Sequence, residues 1–171
     1  MNAPDAAALP ILPVDHPMLR RKSSRLARVG DDTRRLIAAM FATMDRYGGI
    51  GLAANQIGRP WRVIVVGLDA ERHALVNPAI ARATGAAVAE EGCLSLPNWY
   101  GPVERATTIT VKALDLRGQP VRHTFNGLLA RAVQHEVDHL DGVIFTDRLT
   151  DPTALRFVDP REAAERGLHA S

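Results

Sequence analysis

Residues 126–140 read Asn-Gly-Leu-Leu-Ala-Arg-Ala-Val-Gln-His-Glu-Val-Asp-His-Leu. Asn126 is placed to cap a helix over 127–140, which ends before Gly142. On a helix, positions i and i+4 share one face, so His135 and His139 point at a common spot. Glu136 falls beside them, where it reaches water at an ion without ligating the ion. HExxH on a helix therefore carries a mechanism: two ligands and a proton acceptor. The plainer alternative is a solvated amphipathic helix that happens to carry two histidines.

Upstream of this helix, 107–115 is β-branched and alternating, and Leu116-Arg-Gly-Gln119 turns it into a partner strand over 120–125. Residues 62–67 (Arg-Val-Ile-Val-Val-Gly) form a further strand. Another is expected over 73–77, ended by Pro78. A helix is expected over 31–47, capped by Asp31 or Asp32, with Leu36, Ile37, Met40, Phe41 and Met44 at helical spacing. Gly48-Gly49 stops it. The stretch 49–56 (Gly-Ile-Gly-Leu-Ala-Ala-Asn-Gln) is a glycine-containing loop. It lacks the third glycine of a dinucleotide fingerprint and the Lys-Ser/Thr of a P-loop. Prolines 4, 10, 13 and 17 leave residues 1–30 irregular. A short helix within 150–166 is interrupted by Pro160. Few strands alternate with helices in βαβ fashion. The expected class is α+β: mostly antiparallel strands packed around a central helix that carries HExxH.

The chain has 171 residues, enough for one domain with a real core, and residues 1–13 and 158–171 are expected to be peripheral. Its composition, 46% hydrophobic and 23% charged, is that of an ordinary globular protein. A net charge of +2 defines no nucleic-acid partner, and the arginines between 20 and 35 read as solvated surface. One cysteine excludes an internal disulfide and suits a reducing compartment. No secretory signal and no bilayer-length apolar run is present, so a bacterial-type cytoplasmic location and no membrane partner are expected.

That single cysteine, Cys93, lies in Glu-Gly-Cys-Leu-Ser (91–95). With His135 and His139 it makes a three-ligand set of one thiolate and two imidazoles. Such a set leaves a fourth tetrahedral position open, the mark of a catalytic rather than a structural metal. The segments 49–56, 91–95 and 135–139 occur in that order. Together with the run Asp-His-Leu-Asp-Gly-Val-Ile-Phe-Thr-Asp-Arg-Leu (138–149), they resemble the peptide deformylase family over about 14–149.

The resemblance implies a metal-dependent hydrolase that removes the formyl group from the N-terminal formylmethionine of new proteins and releases formate. It implies one divalent ion on Cys93, His135 and His139, Fe(II) natively, although zinc, nickel or cobalt can occupy the same donors. Ligand identity alone would suggest zinc. Glu136 would shuttle the proton, while the Gln56 side-chain amide and the Leu94 backbone N–H would stabilise the developing oxyanion. Glu91 would pair with Arg105 and hold the cysteine loop. Ile50 and Leu128 would line a methionine pocket, and Gly51 would let a peptide backbone approach as an added strand. The partners implied are N-formylmethionyl nascent peptides, with transient ribosome contact.

Asp138, three residues after His135, either orients a neighbouring group or is an exposed helix carboxylate. Arg131 shares the ligand face, where its stem would line the pocket while its guanidinium snorkels outward. Tyr100 stands about where some relatives carry a substrate-contacting arginine. Trp99 and Tyr100 either rim the peptide site or cover the core. After Phe157, Arg161 and Arg166 stand against Asp159, Glu162 and Glu165, which gives no support to strong ribosome docking through the tail. Arg131 and the Trp99-Tyr100 segment keep one alternative open, a deformylase-like amidase acting on another formylated or acylated amine. A binding module without turnover would have no need of Glu136.

Overall fold

The computed structural model describes residues 6–171; residues 1–5, part of the stretch expected to be peripheral, lie outside them. Helix α1 spans Asp31–Arg46, and strand β1, Gly51–Ala53, follows it. Then come β2 (Val63–Leu68), β3 (Glu71–Thr84), β4 (Ala87–Cys93), β5 (Leu96–Arg105), β6 (Thr108–Leu114) and β7 (Pro120–Asn126). Helix α2, Gly127–Leu140, strand β8, Arg156–Phe157, and helix α3, Pro160–Glu165, complete the order. Five strands form one sheet in the order β1-β2-β3-β6-β7, and three form another, β4-β5-β8. The pairings are antiparallel. This is the α+β class expected.

The layers follow from period-two alternation on β2. Ile64 and Val66 point to one face, where they join Leu75, Ile109 and Phe125 against Ala130, Val133 and Val137 of α2. Val63 and Val65 point to the other, where they meet Ile37, Met40 and Met44 of α1. A strand buried on both faces reads as the continuous apolar run seen at 62–67. Helix α2 is covered nearly all round, with 11 of its 14 residues buried, so its polar side chains face other protein groups rather than water.

Several boundaries differ from expectation, each for a physical reason. Asn126 does hold the N-cap position of α2, but its side chain is engaged by the Thr108 hydroxyl. Gly30, not Asp31 or Asp32, caps α1; Asp31 is instead the first helical residue and pairs with Arg34. Pro78 does not end β3. Asn77 adopts φ +53, a register shift falls between Val76 and Ala79, and the strand runs on to Thr84. A bulge requires no ladder N–H, which is what proline lacks. Asn77 is held by two hydrogen bonds to the Leu26 backbone. Pro160 opens α3 rather than interrupting it, a position where the missing N–H is harmless, and Asp159 caps the helix through Arg161 N–H. The β4–β5 hairpin and β1 have no counterpart in the expected elements.

The stretches expected to be peripheral touch the core in their described parts. Leu9 and Ile11 pack beside α1, and Ser171 is buried.

Candidate metal centre

Three elements deliver the donors. β4 ends at Cys93, where a two-residue reversal pairs Cys93 with Leu96. Helix α2 presents His135 and His139 one turn apart. β1 and the single turn after it, Ala54–Ile57, close the third side. Cys93 Sγ lies 3.2 Å from His139 Nε2, and the two Nε2 atoms are 3.1 Å apart. All three side chains are buried, and one donor atom from each lies within 4.8 Å of the others.

Glu91 governs the orientation of His135. Its Oε1 is 2.6 Å from His135 Nδ1, so the carboxylate accepts a hydrogen bond from Nδ1–H and leaves Nε2 facing the cluster. The same carboxylate accepts two hydrogen bonds from Arg105 and one from Arg131. Burial alone would raise its pKa, but the His135 hydrogen bond and charge, with Arg105, hold it well below the usual carboxylate range.

Asp138 is a buried orienter. It accepts from Arg105 at 2.6 Å and from Arg148 at 2.8 and 3.0 Å, so it positions a guanidinium rather than a histidine. Arg131 does not snorkel. Its guanidinium is buried against Glu91 and the carbonyls of Val103 and Ala87, because those acceptors lie closer than solvent.

Glu136 is completely buried, and neither carboxylate oxygen has a protein partner. Burial, with the neighbouring Glu91 charge, raises its pKa well above the ordinary value. An unpartnered buried polar atom costs about 1–3 kcal/mol, so both oxygens are placed for something other than protein. Gly51 makes room for this: a Cβ there would come within 2.5 Å of Glu136 Oε1. Gln56 is fully buried, with Oε1 fixed by the Ala53 N–H at 2.8 Å. Its Nε2 is thereby directed at Ser95 Oγ, 3.3 Å, and Cys93 Sγ, 3.7 Å. Asn55, which sequence reasoning passed over, donates to the His139 carbonyl at 2.6 Å and braces the end of the ligand turn.

Leu94 N–H points to the Ser171 backbone oxygen at 2.7 Å. Ile50 and Leu128 lie at different cavities. Ile50 borders one of about 280 Å³ with Gly49, Gly67 and Leu68, while Leu128 borders one of about 260 Å³ with Ala87 and Arg131. Tyr100 is buried over Gly92, whereas Trp99, on the opposite face of β5, is half-exposed and stacks edge-on with Phe157.

The donor set meets the needs of a divalent ion: two imidazoles and a thiol converge, with a carboxylate aimed past them. Burial pushes the Cys93 thiol up to about 12, so ionising it takes a cation beside it. His139 is held neutral by burial and by His135, the state in which imidazole ligates. Fold and site together define a metal-dependent hydrolase of the three-ligand kind, built on an α+β frame.

The profile of the family described as polypeptide deformylase matches residues 8–154. A peptide deformylase of Thermomicrobium roseum is 44% identical over 155 residues, spanning 85% of this chain and 88% of the relative. The crystal structure of a peptide deformylase from Synechococcus elongatus in complex with actinonin superposes with a TM-score of 0.83 at 38% identity. It covers 94% of this chain and 86% of that one. A class I type b peptide deformylase from Acinetobacter baumannii with Met-Ala-Ser bound gives 0.81 at 35% identity, covering 84% of this chain and 99% of that one. The chain belongs to the polypeptide deformylase family.

Proposed function

We propose that this chain hydrolyses the N-formyl group from the formylmethionine that begins newly made proteins, releasing formate and a free amine. The observation that carries the reading is Glu136, wholly buried and unpartnered beside three converging ligand atoms. Cys93, His135 and His139 would hold the ion. A divalent ion there supplies Lewis acidity, polarising the formyl carbonyl and acidifying water. Fe(II) is proposed as the native ion; zinc, nickel and cobalt suit the same donors.

Glu136 takes the proton from the attacking water, and its raised pKa suits it to hold that proton until the leaving amine needs it. Gln56 Nε2 and Leu94 N–H are the donors proposed for the developing oxyanion, one fixed by Ala53 and the other by the hairpin reversal. Glu91 keeps His135 in its ligating tautomer, while Arg105 and Asp138 keep Glu91 in place. Gly51 and the Ile50 backbone offer a strand edge to the peptide; Ile50 and Leu128, which border different cavities but pack in one apolar cluster, are the apolar walls proposed for methionine.

We further propose that residues 1–171 form one catalytic domain working in a bacterial-type cytoplasm, with transient contact at the ribosome. No helix among the described residues is long and apolar enough to cross a membrane. Arg131 no longer favours a different acylated amine as substrate, since its guanidinium is engaged by Glu91 and two carbonyls.

The test is formate release from formyl-Met-Ala-Ser beside its acetyl analogue, with protein prepared without oxygen. Selective release from the formyl peptide is expected. Equal or preferential hydrolysis of the acetyl peptide would replace this reading with a broader amidase.

A further inference from the structure

Two strand edges face each other across the site. β1 is an outer strand of the five-stranded sheet, and β4 is an outer strand of the three-stranded one. Ile50, just before β1, splits its backbone groups: its carbonyl accepts from Gly67 N–H, and its N–H is not bonded to β2. Gly92 and Leu94 present a carbonyl and an N–H from the other side. Unpaired edges of this sort accept an added strand.

That strand is already there, and it belongs to the chain itself. Ile50 N–H donates to the Ala170 oxygen at 3.0 Å, and Leu94 N–H donates to the Ser171 oxygen at 2.7 Å. Ser171 N–H donates to the Gly92 oxygen at 3.3 Å, and Ala170 bridges Gly92 in parallel. The segment therefore runs alongside β4 toward Cys93, and Ser171 is 4% exposed. Its path is set by α3. Gly167 takes φ +62 after the helix, and Leu168 packs against Tyr100, Val158 and Ala163. Leu168 N–H returns to the Ala163 oxygen at 2.9 Å, and His169 then stays outside while Ala170 and Ser171 enter the groove.

We propose that residues 168–171 are an internal occupant of the peptide groove, which an incoming formylated peptide must displace. The proposal rests on the deformylase reading for the identity of the displacing ligand, and on geometry alone for the seating. The groups taken are the strand edge at Ile50 and the oxyanion donor at Leu94. Substrate therefore binds only to the fraction of molecules whose tail is out. A tail seated about nine-tenths of the time raises the apparent KM about tenfold and leaves kcat unchanged, because affinity is divided by the competent fraction. Ala170 and Ser171 carry short side chains, so leaving the groove exposes little apolar surface of their own.

The experiment compares the full chain with a form lacking His169–Ser171, and with Ser171→Pro, which removes the N–H given to Gly92 without shortening the chain. Amide exchange at Ile50 and Leu94 reports seating, and KM against kcat for formyl-Met-Ala-Ser reports competition. Expected are exchange at least about tenfold faster at both amides in the shortened form, and a KM lower by a similar factor at constant kcat. Ser171→Pro should lie between the two. Unchanged exchange at both amides would overturn the seating. Faster exchange with an unchanged KM would overturn the competition. Faster exchange in a shortened form that, like the full chain, releases no formate would support the seating while removing the deformylase reading.

Discussion

Glu136 and Glu91 are both buried carboxylates on the same site, and their surroundings drive them apart. Glu91 has hydrogen bonds from His135, Arg105 and Arg131 and stays ionised; Glu136 has no protein partner and is pushed toward the protonated form. One is therefore set as an anchor, and the other is the proposed proton carrier. Glu136→Gln should keep the ion, by metal analysis, while turnover falls at least about 10²–10⁴-fold; appreciable residual turnover would remove it from the shuttle. Glu91→Gln should weaken ion affinity about 10–100-fold in a competition titration, because His135 loses the partner that fixes its tautomer. Glu91 also makes stability depend on pH. Its folded pKa lies below the ordinary value of about 4.3, so its contribution is complete above that value and is lost as pH falls toward the folded one. With the ion removed from both proteins, Tm should fall more steeply between about pH 5 and about pH 3 in the parent than in Glu91→Gln. The convergence of Cys93, His135 and His139 was legible because a helical spacing of four and a lone cysteine are local patterns. The Glu91–His135 bond spans 44 residues and Asn55–His139 spans 84, distances at which spacing says nothing. Asn55 at least lies inside the 49–56 motif, which was the available signal.

At the level of elements, α2 was legible to its exact ends because Asn126, the apolar period and Gly142 agree. The β4–β5 hairpin was not. β4 reads Ala-Val-Ala-Glu-Glu-Gly-Cys and β5 contains two prolines, so neither has strand composition, and pairing across the sheet decides them instead. The same holds for β1, whose three small or apolar residues read as loop. Gly51 on β1 is a sensitive position, since any side chain meets Glu136. Gly51→Ala should fold, with Tm within a few degrees of the parent, and lose activity as the carboxylate is displaced. An undiminished kcat/KM would show that β1 has room to shift. Ile64 tests the sheet-to-α2 core independently of the chemistry. It is fully buried, so Ile64→Ala should cost about 2–5 kcal/mol in denaturant unfolding. A loss below about 1 kcal/mol would mean that the α2 face of β2 repacks around the cavity.

In the whole molecule, both sheets and α2 converge on one point. α1 backs the large sheet from one side, α2 fills the other, and the small sheet brings Cys93 to the end of α2. The ion would thus add a further tie between elements already joined by Glu91–His135 and Arg105–Asp138, so ion binding and folding are coupled. Ion present at about 100 times its Kd should add about 2.7 kcal/mol to stability, readable as a rise in Tm that chelation reverses. One ion on Cys93, His135 and His139 is proposed to drive formate release. The most direct test is to strip the protein without oxygen, titrate Fe(II) back, and measure bound ion and formate release on the same samples. Expected are no release from the stripped form, release proportional to occupancy, and saturation at about one ion per chain. Undiminished formate release from the stripped protein, or none from the fully loaded one, would contradict that role.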